Sequence, residues 1–270
     1  MNTSPLVFVG IAPHPPVMVP EVGGAHAREV RASIEAMSEL TERIKACGAE
    51  TIVLISPHAP LEEHAFVAYG GPTLRGDFAN FRAPHATVEA PPDEELLAAV
   101  QTAAGKQYRV ALLRPCELDH GTAVPLYFLL RNGWRGRVVA FGYSFLSDDD
   151  HVRFGACVRR AVESLGRPAA FVASGDLSHR LIPGAPAGFH AEARRFDEEV
   201  VAALRMKDPG RILHIERGLR RLAGECGYRS MLVALGACSG GAHEECEVIS
   251  YEAPFGVGYL VAQLSRAELN

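Results

Sequence analysis

Hydrophobic positions along this chain form short, β-prone runs that alternate with segments of helical periodicity. Apolar runs of about four to eight residues, bounded by residues such as Gly, Pro or Ser, are typical of buried strands. On this basis we predict strands at residues 6–12, 51–56, 65–69, 108–113, 137–143, 169–174, 247–251 and 256–261.

The segments between these runs have the spacing of amphipathic helices. In residues 25–46, for example, Val30, Ile34 and Met37 recur at steps of three or four, which places them on one helix face. An acidic run at 148–150 precedes another such segment, and we interpret it as a helix start rather than a cation site, because carboxylates satisfy the free N–H groups there. We predict helices at residues 25–46, 93–103, 123–131, 148–164, 191–206 and 221–237.

Alternation of strands with helices predicts an α/β fold, since parallel strands need helical crossovers. We expect a single domain over residues 1–270 with a central, mostly parallel or mixed sheet flanked by helices on both faces. Residues 69–92 interrupt the pattern with Gly and Pro, and we predict a long loop or hairpin near the site. Neither an internal repeat nor a linker divides the chain.

Composition narrows the class of protein. Hydrophobic residues make up 48% of the 270 positions and charged residues 22%, with a net charge of −5, as in ordinary globular proteins. Basic residues are scattered, which argues against nucleic acid or an anionic membrane as partner. The N-terminus lacks the features of a signal peptide, so we expect a cytoplasmic protein. Its six cysteines form no CxxC pair, which predicts reduced, mostly buried thiols.

Four histidines lie where a folding argument does not require them. His14, His58 and His179 each follow an apolar predicted strand, and His120 precedes a predicted helix. In α/β proteins, ligand and metal sites collect at the ends of such strands. His14 and His58 both stand beside prolines, which hold the backbone in a rigid, non-helical turn. The repeated Pro-His context favours metal ligation by both imidazoles.

The remaining polar groups leave more than one chemistry open. Glu225 supplies a carboxylate before an apolar helix, and two imidazoles with one carboxylate form the ligand set of non-haem Fe(II) sites. Cys226 beside it is an alternative, softer ligand that favours Zn or Cu(I). Asp176 in SGDLSH can orient an imidazole from outside the ligand set. This segment holds the residue types of a Ser-His-Asp triad, but the chain has no GxSxG motif, which argues against a serine hydrolase.

Six motifs together resemble the class III extradiol ring-cleavage dioxygenase superfamily, in its catalytic (B) subunit-like branch that includes the Memo-like proteins. They are APHPP, ISPHAP, LDHGTAVPL, SGDLSHR, GECGYRSM and YEAPFGVGYLVA, in family order over nearly the whole chain. Each motif is weak alone, whereas the ordered set is fairly specific. The last motif is more similar to Memo-like and other bacterial members than to the catechol degraders.

The resemblance implies Fe(II)-dependent extradiol cleavage of a catecholic ring by O₂. It places His14, His58 and Glu225 on the metal, His179 as acid–base catalyst, and His120 against substrate or oxygen. Memo-like proteins carry a cysteine near the third-ligand position, so Glu225 and Cys226 remain alternatives. A Zn-binding, non-redox enzyme and a non-enzymatic binding protein are the alternative functions. Expected partners are a small aromatic substrate and O₂, with a small partner subunit or a homodimer.

Overall fold

The computed structural model describes residues 4–238 and 245–266. Within them the strands are β1 Leu6–Ala12, β2 Thr51–Ser56, β3 Ala65–Ala68, β4 Leu74–Phe78, β5 Ala83–Ala90, β6 Arg109–Leu112, β7 Arg137–Gly142, β8 Ala169–Ser174, β9 Glu247–Glu252 and β10 Tyr259–Arg266. All eight predicted strands are present. Some have the predicted bounds, and the others differ from the prediction at one or both ends. The last strand shifts most: it begins at Tyr259, because the preceding Gly256 adopts a positive φ of 77° in a turn.

One eight-stranded sheet forms the centre of the fold, in the order β6-β3-β7-β2-β8-β1-β10-β9. Its middle strands β7, β2, β8 and β1 run parallel to one another. Antiparallel pairs occur where β3 joins β7 and where β10 joins β1 and β9. The sheet is therefore mixed, and the four parallel strands bring their carboxyl ends to one edge.

Helices cover both faces of this sheet. Their bounds are α1 Pro20–Gly23, α2 Arg31–Ala46, α3 Glu94–Ala104, α4 His120–Arg131, α5 Asp148–Leu165, α6 Ala193–Arg205, α7 Arg217–Ala223 and α8 Tyr228–Cys238, with 3₁₀ turns at Pro16–Met18, Gly24–Val30, Ala79–Phe81 and Pro209–His214. No helix in the described ranges has both the length and the apolar character needed to cross a membrane.

Alternating side chains of the parallel strands enter two separate cores. In β2, Val53 and Ile55 pack on the side of α3, α5 and α8, whereas Ile52 and Leu54 pack on the side of α2 and α4. Every residue of β2 is buried, as expected for a strand covered on both faces. These contacts confirm the predicted α/β class with a mixed central sheet and helices on both faces.

The Gly- and Pro-rich segment 69–92 forms the hairpin of β4 and β5. It packs beside α4, where the ring centroids of Phe78 and Tyr127 lie 6.0 Å apart. At the tip of the hairpin, Phe81 approaches the ring of His120, with 5.4 Å between centroids. The structure thus confirms that this segment forms a hairpin, whose tip lies against His120, a predicted site residue.

The predicted helix at 221–237 is wrong as a continuous element, because it is broken into the end of α7 and the separate helix α8. Gly224 ends α7 with a φ of 64°, a left-handed conformation that glycine adopts without steric cost. Residues 225–227 form a turn before α8 begins at Tyr228. Glu225 and Cys226 consequently lie in that turn and point in different directions.

We predict that Gly155→Ala destabilises the protein by about 1–3 kcal/mol, a typical cost of overpacking. A β-carbon on Gly155 in α5 would collide with the carbonyl oxygen of Val233 in α8. Chemical denaturation measures the loss. Gly218→Ala is the control, since a β-carbon there meets no atom within 4 Å. Equal stability of the two variants would contradict the close α5–α8 crossing.

Candidate metal centre

Adjacent parallel strands deliver the polar residues of the site. His14 lies two residues beyond β1, His58 two residues beyond β2, and Asp176 two residues beyond β8. Because β8 lies between β1 and β2 in the sheet, the three segments leave the same edge side by side. The prolines around His14 and His58 end each strand and turn the chain across this edge.

Three imidazoles meet there. The Nε2 atoms of His14 and His58 are 3.1 Å apart. His120, the first residue of α4, stacks on His58 with 4.3 Å between ring centroids and lies 5.5 Å from the ring of His14. His14 is buried whereas His58 is exposed, so the cluster is open to solvent on the His58 side.

The tautomer of His14 is set by Ser174, the last residue of β8. Ser174 Oγ donates its hydrogen to the carbonyl oxygen of Gly121. It can then only accept from His14 Nδ1, which lies 2.9 Å away. Nδ1 therefore carries the ring proton, and the lone pair of Nε2 faces His58 and the open side. A hydrogen bond to the distal ring nitrogen is the usual way in which proteins orient a metal-binding imidazole.

Cys226 approaches the same point from the turn before α8. Its Sγ lies 3.6 Å from His14 Nε2. Two glycines allow this approach, because a β-carbon on Gly175 would collide with the backbone of Gly227. Gly227 N donates to the carbonyl oxygen of Asp176 at 3.0 Å, which ties the turn to the segment after β8.

The geometry of these donors fits a single metal ion. His14, His58 and Cys226 offer ligand atoms that all lie within 4.8 Å of one another. A tetrahedral ion with ordinary Zn–N and Zn–S distances holds two nitrogens roughly 3.4 Å apart and nitrogen and sulfur roughly 3.6 Å apart. The observed separations are 3.1 Å and 3.6 Å. Two imidazoles and a thiolate are, in addition, donors that soft or borderline metals prefer.

Glu225 does not join this group. Its Oε2 accepts a hydrogen bond from Tyr228 N at 2.7 Å, so its carboxylate satisfies a free N–H at the start of α8. Burial raises the pKa of Glu225 to about 7. The geometry thus brings Cys226, and not its neighbour Glu225, to the two imidazoles, because the turn directs the two side chains apart.

Asp176 and His179 stand beside the three donors. Asp176 Oδ1 accepts from His14 N at 3.0 Å, and its Oδ2 lies 3.8 Å from His14 Nε2 and 3.9 Å from His179 Nε2. Asp176, His179 and Cys226 form a second cluster of ligand atoms within 4.8 Å. His179 is therefore adjacent to the metal position, and its side chain keeps an exposed fraction of 20%.

Burial sets the protonation of the cluster. It lowers the pKa of His14 well below the usual range and, with His120 nearby, that of His58 to about 4. Burial also lowers the pKa of His179. Neutral imidazole is the form that binds metal and accepts protons. Burial raises the pKa of Asp176 to about 7 and that of Cys226 well above its usual value; a bound cation would reverse both directions.

Asp119 organises the opposite wall, a role that the sequence analysis did not assign to this residue. As the N-cap of α4 it accepts from Thr122 N at 3.1 Å. It also accepts from Ser56 Oγ at 2.5 Å and from Tyr69 OH at 2.8 Å. Ser56 Oγ in turn accepts from His58 N at 3.1 Å. The network fixes His58 and His120 relative to one another.

We predict that Ser174→Ala weakens metal binding by about 10- to 100-fold, the usual cost of losing a hydrogen bond that orients a ligand. The alanine leaves the Nδ1 of His14 without its acceptor and frees the ring to change tautomer. Competition with a chromogenic chelator measures the affinity. Ser164→Ala is the control, because Ser164 Oγ bonds only a carbonyl of α5. Equal affinity in both variants would contradict the orienting role of Ser174.

The fold and this donor set define an α/β protein with a candidate metal centre at the carboxyl ends of its parallel strands. The sequence model of the family described as the catalytic LigB subunit of aromatic ring-opening dioxygenase matches residues 9–262. The chain belongs to this family, as the ordered motifs indicated.

Two individual proteins are also similar. A protein of Clostridium acetobutylicum is 34% identical over 269 residues, which cover 94% of this chain and 56% of that protein. The chain thus spans about half the length of this curated relative. The crystal structure of an uncharacterized Escherichia coli K12 protein superposes with a TM-score of 0.64 at 17% identity, over 96% of this chain and 100% of that one. At this identity the likeness concerns the fold alone.

Proposed function

We propose that this protein is a metal-dependent dioxygenase that opens a catecholic aromatic ring beside its two hydroxyl groups. The observation that carries the proposal is the donor set His14, His58 and Cys226, spaced for one ion, with the neutral His179 next to it. Membership of a family named for ring-opening dioxygenases supports the reaction class.

His14, His58 and Cys226 would hold the metal, with His14 oriented by Ser174. When bound, the ion supplies Lewis acidity and, if it is Fe(II), a route for electrons between the ring and O₂. Three protein donors leave further coordination positions free, as catalytic metal sites require. The exposed side of His58 is where a flat aromatic diol can enter.

His179 is the proposed general base. Its Nε2 faces the cluster 3.9 Å from Asp176, and its lowered pKa keeps the ring neutral at physiological pH. It takes a proton from one phenolic hydroxyl at Nε2 and later returns a proton to the product. Asp176 would favour the protonated imidazole formed between these steps.

His120 and Phe81 form the proposed substrate wall. The ring of Phe81 stands 5.4 Å from that of His120, and the two present an apolar edge beside a hydrogen-bond donor. Behind this wall, Tyr69 OH donates a hydrogen bond to Asp119, and the ring of Phe78 packs against that of Tyr127.

Cys226 also favours a second candidate function. Imidazoles bind Zn²⁺ and Fe(II) alike, whereas a thiolate favours Zn²⁺. A zinc site with the same pocket would perform non-redox chemistry or bind a ligand without turnover. The choice depends on the native metal. We keep Fe(II) as the proposed cofactor, with Zn as the alternative, because ring opening by O₂ requires a redox-active ion.

Anaerobic purification, metal analysis and O₂ uptake with a panel of catechols test the proposal together. We expect about one iron per chain and O₂ consumption that depends on the catechol. One zinc per chain without O₂ uptake would select the second candidate. Absence of any stoichiometric metal, after loading with Fe(II) and with Zn²⁺ separately, would contradict both.

A further inference from the structure

A cavity of about 500 Å³ lies behind the turn that carries Cys226. This volume is within the range of small-molecule sites. Four arginines line it: Arg217, Arg220, Arg221 and Arg229. Its apolar side is formed by Phe145, whose exposed fraction is 54%. None of the predicted catalytic histidines lines this cavity.

Positive charge exceeds negative charge in this arginine pocket. Two carboxylates, Asp148 and Glu225, face the four guanidinium groups, which leaves an excess of two positive charges when both carboxylates are ionised. Asp148 is already paired with Arg220 at 2.7 Å, and Glu225 accepts from Tyr228 N. In the described part of the chain, no carboxylate lies within 4.0 Å of the guanidinium groups of the other three arginines.

Arg229 is held in a position to meet a ligand. It lies in the first turn of α8, with its guanidinium carbon 5.5 Å from the ring centroids of Tyr143 and Phe145. Its Nε is buried and makes no hydrogen bond to the described residues. An arginine that is placed by aromatic rings and makes no ion pair within 4.0 Å has donors left to bind carboxylate or phosphate oxygens.

We propose that the arginine pocket binds a small anion that carries carboxylate or phosphate groups, with Arg221 and Arg229 as its main contacts. Phe145 adds an apolar surface for an aromatic or aliphatic part of the same ligand. Two of the residues that line the pocket, Gly224 and Glu225, directly precede Cys226 in the chain. This inference does not depend on which metal, if any, the histidine cluster binds.

Isothermal titration of the full chain at constant ionic strength tests the pocket. The probes are inorganic phosphate and phthalate, which separate a phosphate from an aromatic carboxylate as the preferred group. We expect saturable binding of at least one probe, with one site per chain. In Arg221→Gln/Arg229→Gln, affinity should fall roughly 10- to 100-fold, since hydrogen bonds to charged groups are lost.

The matched control is Arg28→Gln/Arg114→Gln, which removes the same charge from exposed positions outside the pocket. The proposal is overturned if neither probe saturates, or if both double variants lose affinity equally, which would indicate non-specific attraction. Because Arg229→Gln can disturb α8, Arg221→Gln alone is titrated too and should weaken binding with unchanged thermal stability. Metal content measured on the same samples separates failure of this site from failure of the metal centre.

Discussion

Replacing Cys226 with alanine is expected to remove tight metal binding while the fold persists. Its Sγ lies 3.6 Å from His14 Nε2, as two ligands of one ion require. The side chain belongs to a turn rather than to either core, so its truncation costs little packing. We expect a loss of affinity larger than the roughly 10- to 100-fold that outer hydrogen-bond partners contribute. Metal stoichiometry after anaerobic loading with Fe(II) and with Zn²⁺ measures it.

Glu225→Gln is the matched control for this prediction. The amide oxygen of glutamine can still accept from Tyr228 N, so the start of α8 keeps its hydrogen bond, whereas the carboxylate charge is gone. If Glu225 serves only the helix, the variant binds metal like the original chain. The reverse pattern, with metal lost in Glu225→Gln and kept in Cys226→Ala, would restore Glu225 as the ligand and a two-histidine, one-carboxylate site.

The parallel part of the fold was predictable because its strands are buried on both faces. Runs such as TIVLIS at Thr51–Ser56 are apolar at nearly every position, which few other structures explain. The ends of these runs were also where the sequence indicated a ligand or metal site. The close approach of His14 to His58 follows from that topology, although the sequence does not state which strands are neighbours.

Which of Glu225 and Cys226 faces the two imidazoles was not predictable, because it depends on a single turn. Glu225 and Cys226 are adjacent, and the direction of each side chain is decided by Gly224 in its left-handed conformation and by the contact between Gly175 and Gly227. The helical pattern of residues 221–237 concealed this break, since an isolated glycine is tolerated within helical patterns. Long-range backbone contacts, rather than local propensity, therefore decide which of these two side chains faces the imidazoles.

The orienting residues were also hidden from sequence reasoning. Ser174 looks like an ordinary end of a buried strand, and its role depends on simultaneous contact with Gly121 in α4 and His14 after β1. Asp119 lies in the LDHGTAVPL motif, but its bonds to Ser56 and Tyr69 cross between elements more than 40 residues apart. Such networks are fixed by tertiary packing, for which a single sequence carries no signal.

His179→Gln is expected to retain the metal and lose turnover by about 10²- to 10⁴-fold, the usual contribution of a general acid–base group. His179 stands next to the three donors, but it groups with Asp176 and Cys226 and not with the pair of imidazoles of His14 and His58. Oxygen uptake with a catechol measures the rate, and metal analysis of the same sample measures occupancy. His64→Gln is the control, since that side chain is 81% exposed and pairs with the neighbouring Glu63.

The pH profile gives the same assignment a second test. Burial lowers the pKa of His179 below its usual 6.5, so the neutral, proton-accepting ring persists to a lower pH than a free histidine would allow. Activity should therefore hold as pH falls to 6.5 and decline only below it, and this acidic limb should be missing from the residual rate of His179→Gln. Loss of metal in the variant would instead make His179 a ligand, through the second cluster with Asp176 and Cys226. If His179→Gln turned over at the wild-type rate, His179 would not be the general base. His120, another imidazole of the cluster, would then be the candidate for proton transfer.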